Sequence, residues 1–262
     1  MKNVERFLLS DVGFDGGDLG DKNRQSIWLC GIERGGGYPE GIDGLIKDLD
    51  DKDYISLNDI INDSKNYSDG YEDNSKNFDC PYNQKAMKLL ASLFGYEIGY
   101  ENATKFNDKF EPFVANKKGF FKMNLFPIPF KNMQNWKERD KFCKALGLKN
   151  SDDYMRFCRE NRYPLFKALR EKYEPKIIIC VGITMKNEFM KAFGVDSVEH
   201  HKGTIDCSDF YYGLINYKSG NKGLFVTTRF LAHYDSCLNS DERLKSCGEN
   251  IAKIAKENGI KL

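Results

Sequence analysis

Three loops hold the side chains best suited to chemistry. The first is Gly31-Ile32-Glu33-Arg34-Gly35-Gly36-Gly37, a carboxylate set among glycines. Glycine permits positive φ and close backbone approach, so a ligand can sit against the amide groups. Glu33 can then position water or stabilise a developing cation. The plainer alternative is a glycine-rich turn with a solvated glutamate. The loop matches neither GxGxxG nor GxxxxGK(S/T), which gives nucleoside-triphosphate hydrolysis little support. The second holds Asn124 within Met123-Asn124-Leu125-Phe126-Pro127-Ile128-Pro129-Phe130. The Asn124 amide carries both a donor and an acceptor, so it can read the edge of a planar base, or it can bond its own backbone at a strand end. The third is Thr227-Thr228-Arg229-Phe230-Leu231-Ala232-His233-Tyr234. Arg229 is cationic and His233 can become so; either can meet a phosphate or a departing group that gains negative charge. The alternatives are a surface ion pair for Arg229 and a packed or solvated ring for His233. The pair His200-His201 is a weaker signal, because neighbours on a strand point to opposite faces and seldom share one metal.

Each loop follows an apolar run that reads as a strand. Ser26 to Cys30 is the first and Gly119 to Phe126 the second, ended by Pro127 and Pro129, which cannot donate to a ladder. Lys176 to Gly182 is the strongest strand signal, with five consecutive apolar residues that predict burial on both faces, as in a parallel sheet. Phe210 to Tyr217 and Gly223 to Thr228 predict two more strands about the turn Ser219-Gly220-Asn221. Helical spacing and stops predict helices over Cys80–Phe94, Lys131–Asn150, Asp152–Arg162, Pro164–Tyr173, Thr184–Phe193 and about Ser240–Asn258. Lys47 to Asp79, with ten acids against four lysines, reads as a solvated acidic insertion, partly helical at most. Alternating strands and helices give an α/β class. Ligands of such folds bind beyond the carboxyl ends of the strands, which points to the three loops above.

Composition narrows the function classes. The 262 residues fit one domain, and 40% are hydrophobic, enough for a sizeable core. Charge is balanced, 40 Lys+Arg against 39 Asp+Glu, which argues against a polybasic binder but leaves room for a local basic groove. The eight cysteines show no CxxC spacing, so a zinc ribbon or thioredoxin motif is not expected. Met1 to Ser10 has no signal-peptide h-region, and no apolar run nears the roughly 20 residues of a membrane span. A reduced, cytoplasmic protein with no membrane partner is the expectation.

The three loops together resemble the uracil-DNA glycosylase superfamily. In that family one strand ends in a Gly-x-acid or Gly-x-amide loop, another ends in Asn, and a last strand leads to a loop with His or Asn. Gly31-Ile32-Glu33 looks like the first motif, with Glu33 where the family often has Asp or Asn. Met123-Asn124 is similar to the second, and Tyr82 in Cys80-Pro81-Tyr82-Asn83 stands where an aromatic stacks on the extruded base. Tyr82 can equally pack on the helix start. Tyr163-Pro164-Leu165 and Pro175 through Gly182 are similar to the family's helix and third core strand. The chain departs from the family at Arg229-Phe230-Leu231-Ala232-His233, which replaces a His-Pro-Ser or Asn-Pro-Ser loop. The resemblance covers most of Ser26 to about Asn239. It implies a three-layer α/β/α fold with a small, mainly parallel sheet. It also implies excision of a damaged or modified base from single- or double-stranded DNA by base flipping and water attack, without metal or cofactor. Glu33, Arg229 and His233 would be catalytic. Gly31, Tyr82, Asn124 and Phe126 would bind the base, and Lys131, Lys137 and Arg139 would lie along the DNA backbone. The alternative is a non-catalytic nucleic-acid or nucleotide-binding protein on the same fold, since a fold does not fix a function.

Overall fold

A computed structural model describes residues 2–38, 40–51, 54–63, 67, 69–130 and 136–262. The strands are β1 (Phe14–Gly17), β2 (Gly20–Asp21), β3 (Arg24–Gln25), β4 (Ile27–Gly31), β5 (Phe120–Asn124), β6 (Ile177–Val181), β7 (Glu199–His201), β8 (Phe210–Asn216) and β9 (Lys222–Thr228). The helices are α1 (Lys2–Leu8), α2 (Gly41–Asp51), α3 (Leu57–Asn62), α4 (Pro81–Leu93), α5 (Tyr100–Phe110), α6 (Trp136–Ala145), α7 (Ser151–Phe157), α8 (Tyr163–Tyr173), α9 (Lys186–Phe193) and α10 (Asp241–Glu257).

Seven strands form one sheet in the order β1-β5-β4-β6-β9-β8-β7, and β2 and β3 form a separate short hairpin. The four central strands β5, β4, β6 and β9 are parallel; β1, β8 and β7 extend the edges by antiparallel pairing. The apolar runs explain the centre: every residue of β4, β5 and β6 is buried, as strands covered on both faces require. Trp28, Cys30, Phe121, Met123, Ile178 and Phe225 face one core, shared with Phe7, Leu57, Phe166 and Phe193 of the helices on that side. Ile27, Leu29, Phe120, Ile179 and Val226 face the other, against Met87, Phe106 and Ile251 of α4, α5 and α10. The protein is thus a mixed α/β fold with helices on both faces of its sheet. No helix among the described residues is long and apolar enough to cross a membrane.

The structure corrects several expectations. The acidic stretch is partly helical, as expected, with the end of α2, all of α3 and a 3-10 turn at Asn74–Phe78, but it is not wholly solvated. Ser56 caps α3 by accepting from the Asn58 N–H, and Leu57 and Ile60 are fully buried. A few apolar residues at helical spacing give the segment a core face that the surrounding acids mask. The helix expected over Lys131–Asn150 is shorter, Trp136–Ala145, because Gly147 (φ +76) turns the chain and Asn150 caps α7; residues 131–135 lie outside the described residues. The break expected before Pro164 is absent. A π-turn at Cys158–Arg162 joins α7 to α8, and the Tyr163 N–H donates to the Cys158 carbonyl. It absorbs the hydrogen bond that Pro164 cannot make and turns Arg162 inward, where it is 0% exposed.

Strand β1 was not expected, since Phe-Asp-Gly-Gly has little strand character. Its glycines are sterically required: a Cβ on Gly16 would lie 2.4 Å from the Asp69 carbonyl, and one on Gly17 2.4 Å from the Phe120 carbonyl. The register slips between Phe14 and Gly16, a bulge at Asp15 next to β5.

Candidate functional site

The carboxyl ends of β4 and β5 meet at one rung, where Gly31 pairs with Asn124. A Cβ on Gly31 would stand 2.3 Å from Asn124 Oδ1 and 3.5 Å from the Tyr82 hydroxyl, so only glycine lets the three groups converge. Asn124 is 6% exposed, and its Nδ2 donates to the Gly13 carbonyl at 2.9 Å. That bond fixes the amide with Oδ1 toward Gly31 and Tyr82. Tyr82 stands in the first turn of α4, after Pro81, and its buried hydroxyl has no partner among the described residues. Burial raises its pKa well above the usual phenol range, so the hydroxyl stays a neutral donor.

Beneath this rung lies a charged group inside the sheet. Lys122 projects from β5 on the same face as Asn124, and its Nζ lies 2.8 Å from Asp15, 2.7 Å from the Tyr71 hydroxyl and 2.9 Å from Asn83 Oδ1. Burial opposes the ammonium, but Asp15 and Tyr71 outweigh it and hold the pKa above its ordinary value. The Nζ also lies 5.5 Å from the centre of the Tyr82 ring, a cation–π contact. The β1 bulge aims Asp15 at Lys122, and exposed Arg34 approaches the other Asp15 oxygen at 3.6 Å. The sequence reading missed this set. Its available signal was a lysine within the run Phe120-Phe121-Lys122-Met123, which needs a buried counter-ion.

Glu33 follows Gly31 by two residues. Pairing continues past the strands, with Leu125 N–H donating to the Gly31 carbonyl and Phe126 N–H to the Ile32 carbonyl, each at 2.9 Å. Glu33 accepts from the Phe130 N–H, while its Oε2 is buried without a hydrogen-bond partner among the described residues. Burial raises the carboxyl pKa to about 7, against the opposing pull of the Arg139 charge and the Phe130 N–H. Beside the two loops opens a cleft of about 640 Å³, lined by Gly13, Arg34, Gly35, Pro127 and Pro129 among others. The acidic stretch supplies Asp48, Tyr54 and Asp69 to its wall. Asp11, also on that wall, is pushed to about 6 by burial despite the Ile55 N–H it accepts from.

The third loop comes close but is differently engaged. Phe230 is 41% exposed, with its ring centre 6.3 Å from that of Tyr82, and the Ala232 carbonyl accepts from Lys85. Arg229 is held by Asp209 at 2.6 Å and donates to the Ser236 carbonyl at 3.1 Å, so its alternative as an ion pair is realised. His233 is exposed on the same loop. Phe126 is 1% exposed, packed between Tyr154 and Tyr163, so its ring belongs to the core. Arg139 is 3% exposed, with its guanidinium over the Phe130 ring at 4.7 Å, and it acts on Glu33 rather than on solvent. Lys137 is exposed, and Lys131 lies outside the described residues. His200 and His201 do diverge, stacking on Tyr211 and Phe210 respectively. Among the described residues, no group of three or more His, Cys, Asp or Glu side chains gathers to hold a metal.

No protein-family model matches the chain, and no curated protein matches it by sequence.

Proposed function

We propose that the protein is a DNA N-glycosylase that excises a damaged or modified base, as a divergent relative of the uracil-DNA glycosylases. The observation that supports it most is the convergence of Gly31, Asn124 Oδ1 and the unpartnered Tyr82 hydroxyl at adjacent parallel strand ends, with Glu33 two residues on. A flipped base reaches such a site only after leaving the stack, at a cost of a few kcal/mol in a duplex. Asn124 would read the base edge and Tyr82 or Phe230 would cover its face. In the reaction, a water oxygen bonds to the sugar C1′ as the C1′–N bond breaks. The bond's electron pair leaves with the base, and the water's proton passes to Glu33. A carboxyl poised near neutrality can accept that proton, and its anion stabilises the cationic sugar. Lys137, Lys141 and Lys144 are exposed and fall on one face of α6, which suits a DNA backbone.

The reading is tested with oligonucleotides bearing modified bases, scored for abasic sites after incubation with the full chain. Asn124→Ala should weaken discrimination among bases by about 1–3 kcal/mol. An unchanged ranking and unchanged rates would remove Asn124 from base recognition. The ion pair between Arg229 and Asp209 favours a second reading, a non-catalytic nucleic-acid or nucleotide binder, because it occupies a cation that would stabilise the departing base. DNA binding with no release of any base would select that reading.

A further inference from the structure

A second cleft, of about 530 Å³, lies at the opposite end of the sheet, where β6 and β9 begin. Its lining includes Lys22, Arg24, Lys176, Lys222 and Lys261 and, among the described residues, no Asp or Glu. Arg24 is taken by Asp18, and Lys222 Nζ donates to the Asn258 carbonyl at 3.3 Å. Lys176 is different. It is partly buried at the start of β6, with its N–H donating to the Ser26 carbonyl and its carbonyl accepting from the Leu224 N–H, and its ammonium has no ion pair or hydrogen bond among the described residues. Burial lowers its pKa, because it opposes the charged form. The nearby carboxylate of Glu174 is occupied by Ser219 Oγ and Asn221 Nδ2.

The walls are held rigidly by residues far apart in the chain. Gln25 Nε2 donates to the Glu174 carbonyl at 2.7 Å and to the Lys222 carbonyl at 3.2 Å. Asn221 Nδ2 also donates to the Lys22 carbonyl at 2.6 Å. These bonds tie the turn after β2, the start of β6 and the start of β9 into one frame, so lysines from three segments converge with little ordering left to do on binding. We infer that this cleft is a binding site for a compact polyphosphate, held by the unpartnered Lys176 together with Lys22, Lys222 and Lys261 of its lining. A cleft lined by several lysines matches the clustered charge of linked phosphates better than a single sulfate.

The test is calorimetric titration of the full chain with sodium tripolyphosphate at physiological ionic strength, with a nucleoside triphosphate and sodium sulfate in parallel. Tripolyphosphate should bind saturably, one per chain, and sulfate should not compete at equal ionic strength. Tighter binding of the nucleoside triphosphate would identify a nucleotide as the source of the phosphates; equal binding would identify inorganic polyphosphate. Lys176→Met should weaken binding by about tenfold or more. The rim variant Lys222→Met/Lys261→Met should do the same should Lys176→Met fail to fold. Lys105→Met, which removes an equal charge from the exposed face of α5, should bind as wild type. Non-saturable binding, equal competition by sulfate, or an equal loss in Lys105→Met would overturn the inference. So would a chain whose cleft variants weaken oligonucleotide binding while tripolyphosphate does not bind at all.

Discussion

Replacing Arg162 is expected to unfold much of the frame that carries the candidate site. Arg162 is fully buried, and among the described residues its guanidinium meets no carboxylate at hydrogen-bond distance. It donates to four backbone carbonyls instead: Leu8 at 2.7 Å, Ser10 at 2.8 Å, Val12 at 2.8 Å and Leu125 at 3.2 Å. Its guanidinium also lies 5.2 Å from the Phe166 ring centre. These bonds hold the segment that presents Gly13 to Asn124 and Asp15 to Lys122 against the loop after β5. Arg162→Met keeps most of the stem but leaves the carbonyls unpaired, at about 1–3 kcal/mol each when buried. Relief from burying a cation, and partial relaxation, offset part of that sum. The net loss should be roughly 4 kcal/mol, a large share of the about 5–15 kcal/mol that holds a typical domain together. Arg162→Lys should recover little, because one ammonium cannot span a fork of four acceptors. Urea unfolding followed by circular dichroism measures the difference. A loss below about 1 kcal/mol for Arg162→Met would refute the assigned role.

Two further outcomes follow from buried charges. Glu33 holds its proton to about pH 7 in the folded chain but to about 4.5 when free, so stability should fall as pH rises between those values and level off above. The fall attributable to Glu33 is about 3 kcal/mol, and Glu33→Gln should abolish that part while Asp11 keeps its own; identical pH–stability curves for the two proteins would contradict it. Lys122→Met should cost about 3 kcal/mol by leaving the buried Asp15 carboxylate with only the longer contact to exposed Arg34, and Asp15→Asn/Lys122→Met should recover much of it. Additive losses in that cycle would mean the two groups do not interact.

The central sheet was legible because strands buried on both faces have no choice but continuous apolar runs, as in Ile177 to Val181. The rung of Gly31 and Asn124 was legible too, as residues where such runs stop. Arg162 and Asp15 were not, since their partners lie far away in sequence, and for Arg162 are backbone carbonyls that carry no side-chain signature. Arg139 shows a signal overlooked: with Phe142 and Cys143, and with Leu146 just past the helix end, it recurs at helical spacing on the buried side of α6, opposite Lys137, Lys141 and Lys144. The lysines on the opposite side mask that face in the sequence. The acidic stretch misled similarly, because composition averages over the apolar positions that anchor it.

The most direct measurement compares single-turnover base release by the wild type and Glu33→Gln on a panel of modified-base oligonucleotides, with DNA affinity measured alongside. The glutamine keeps the side chain's size and its acceptor for the Phe130 N–H but loses the titrating carboxyl. The wild type should release at least one base and leave an abasic site, while Glu33→Gln should be slower by roughly 10²-fold or more with affinity retained. A folded, DNA-binding wild type that releases no base, or a mutant as fast as the wild type, would contradict the account.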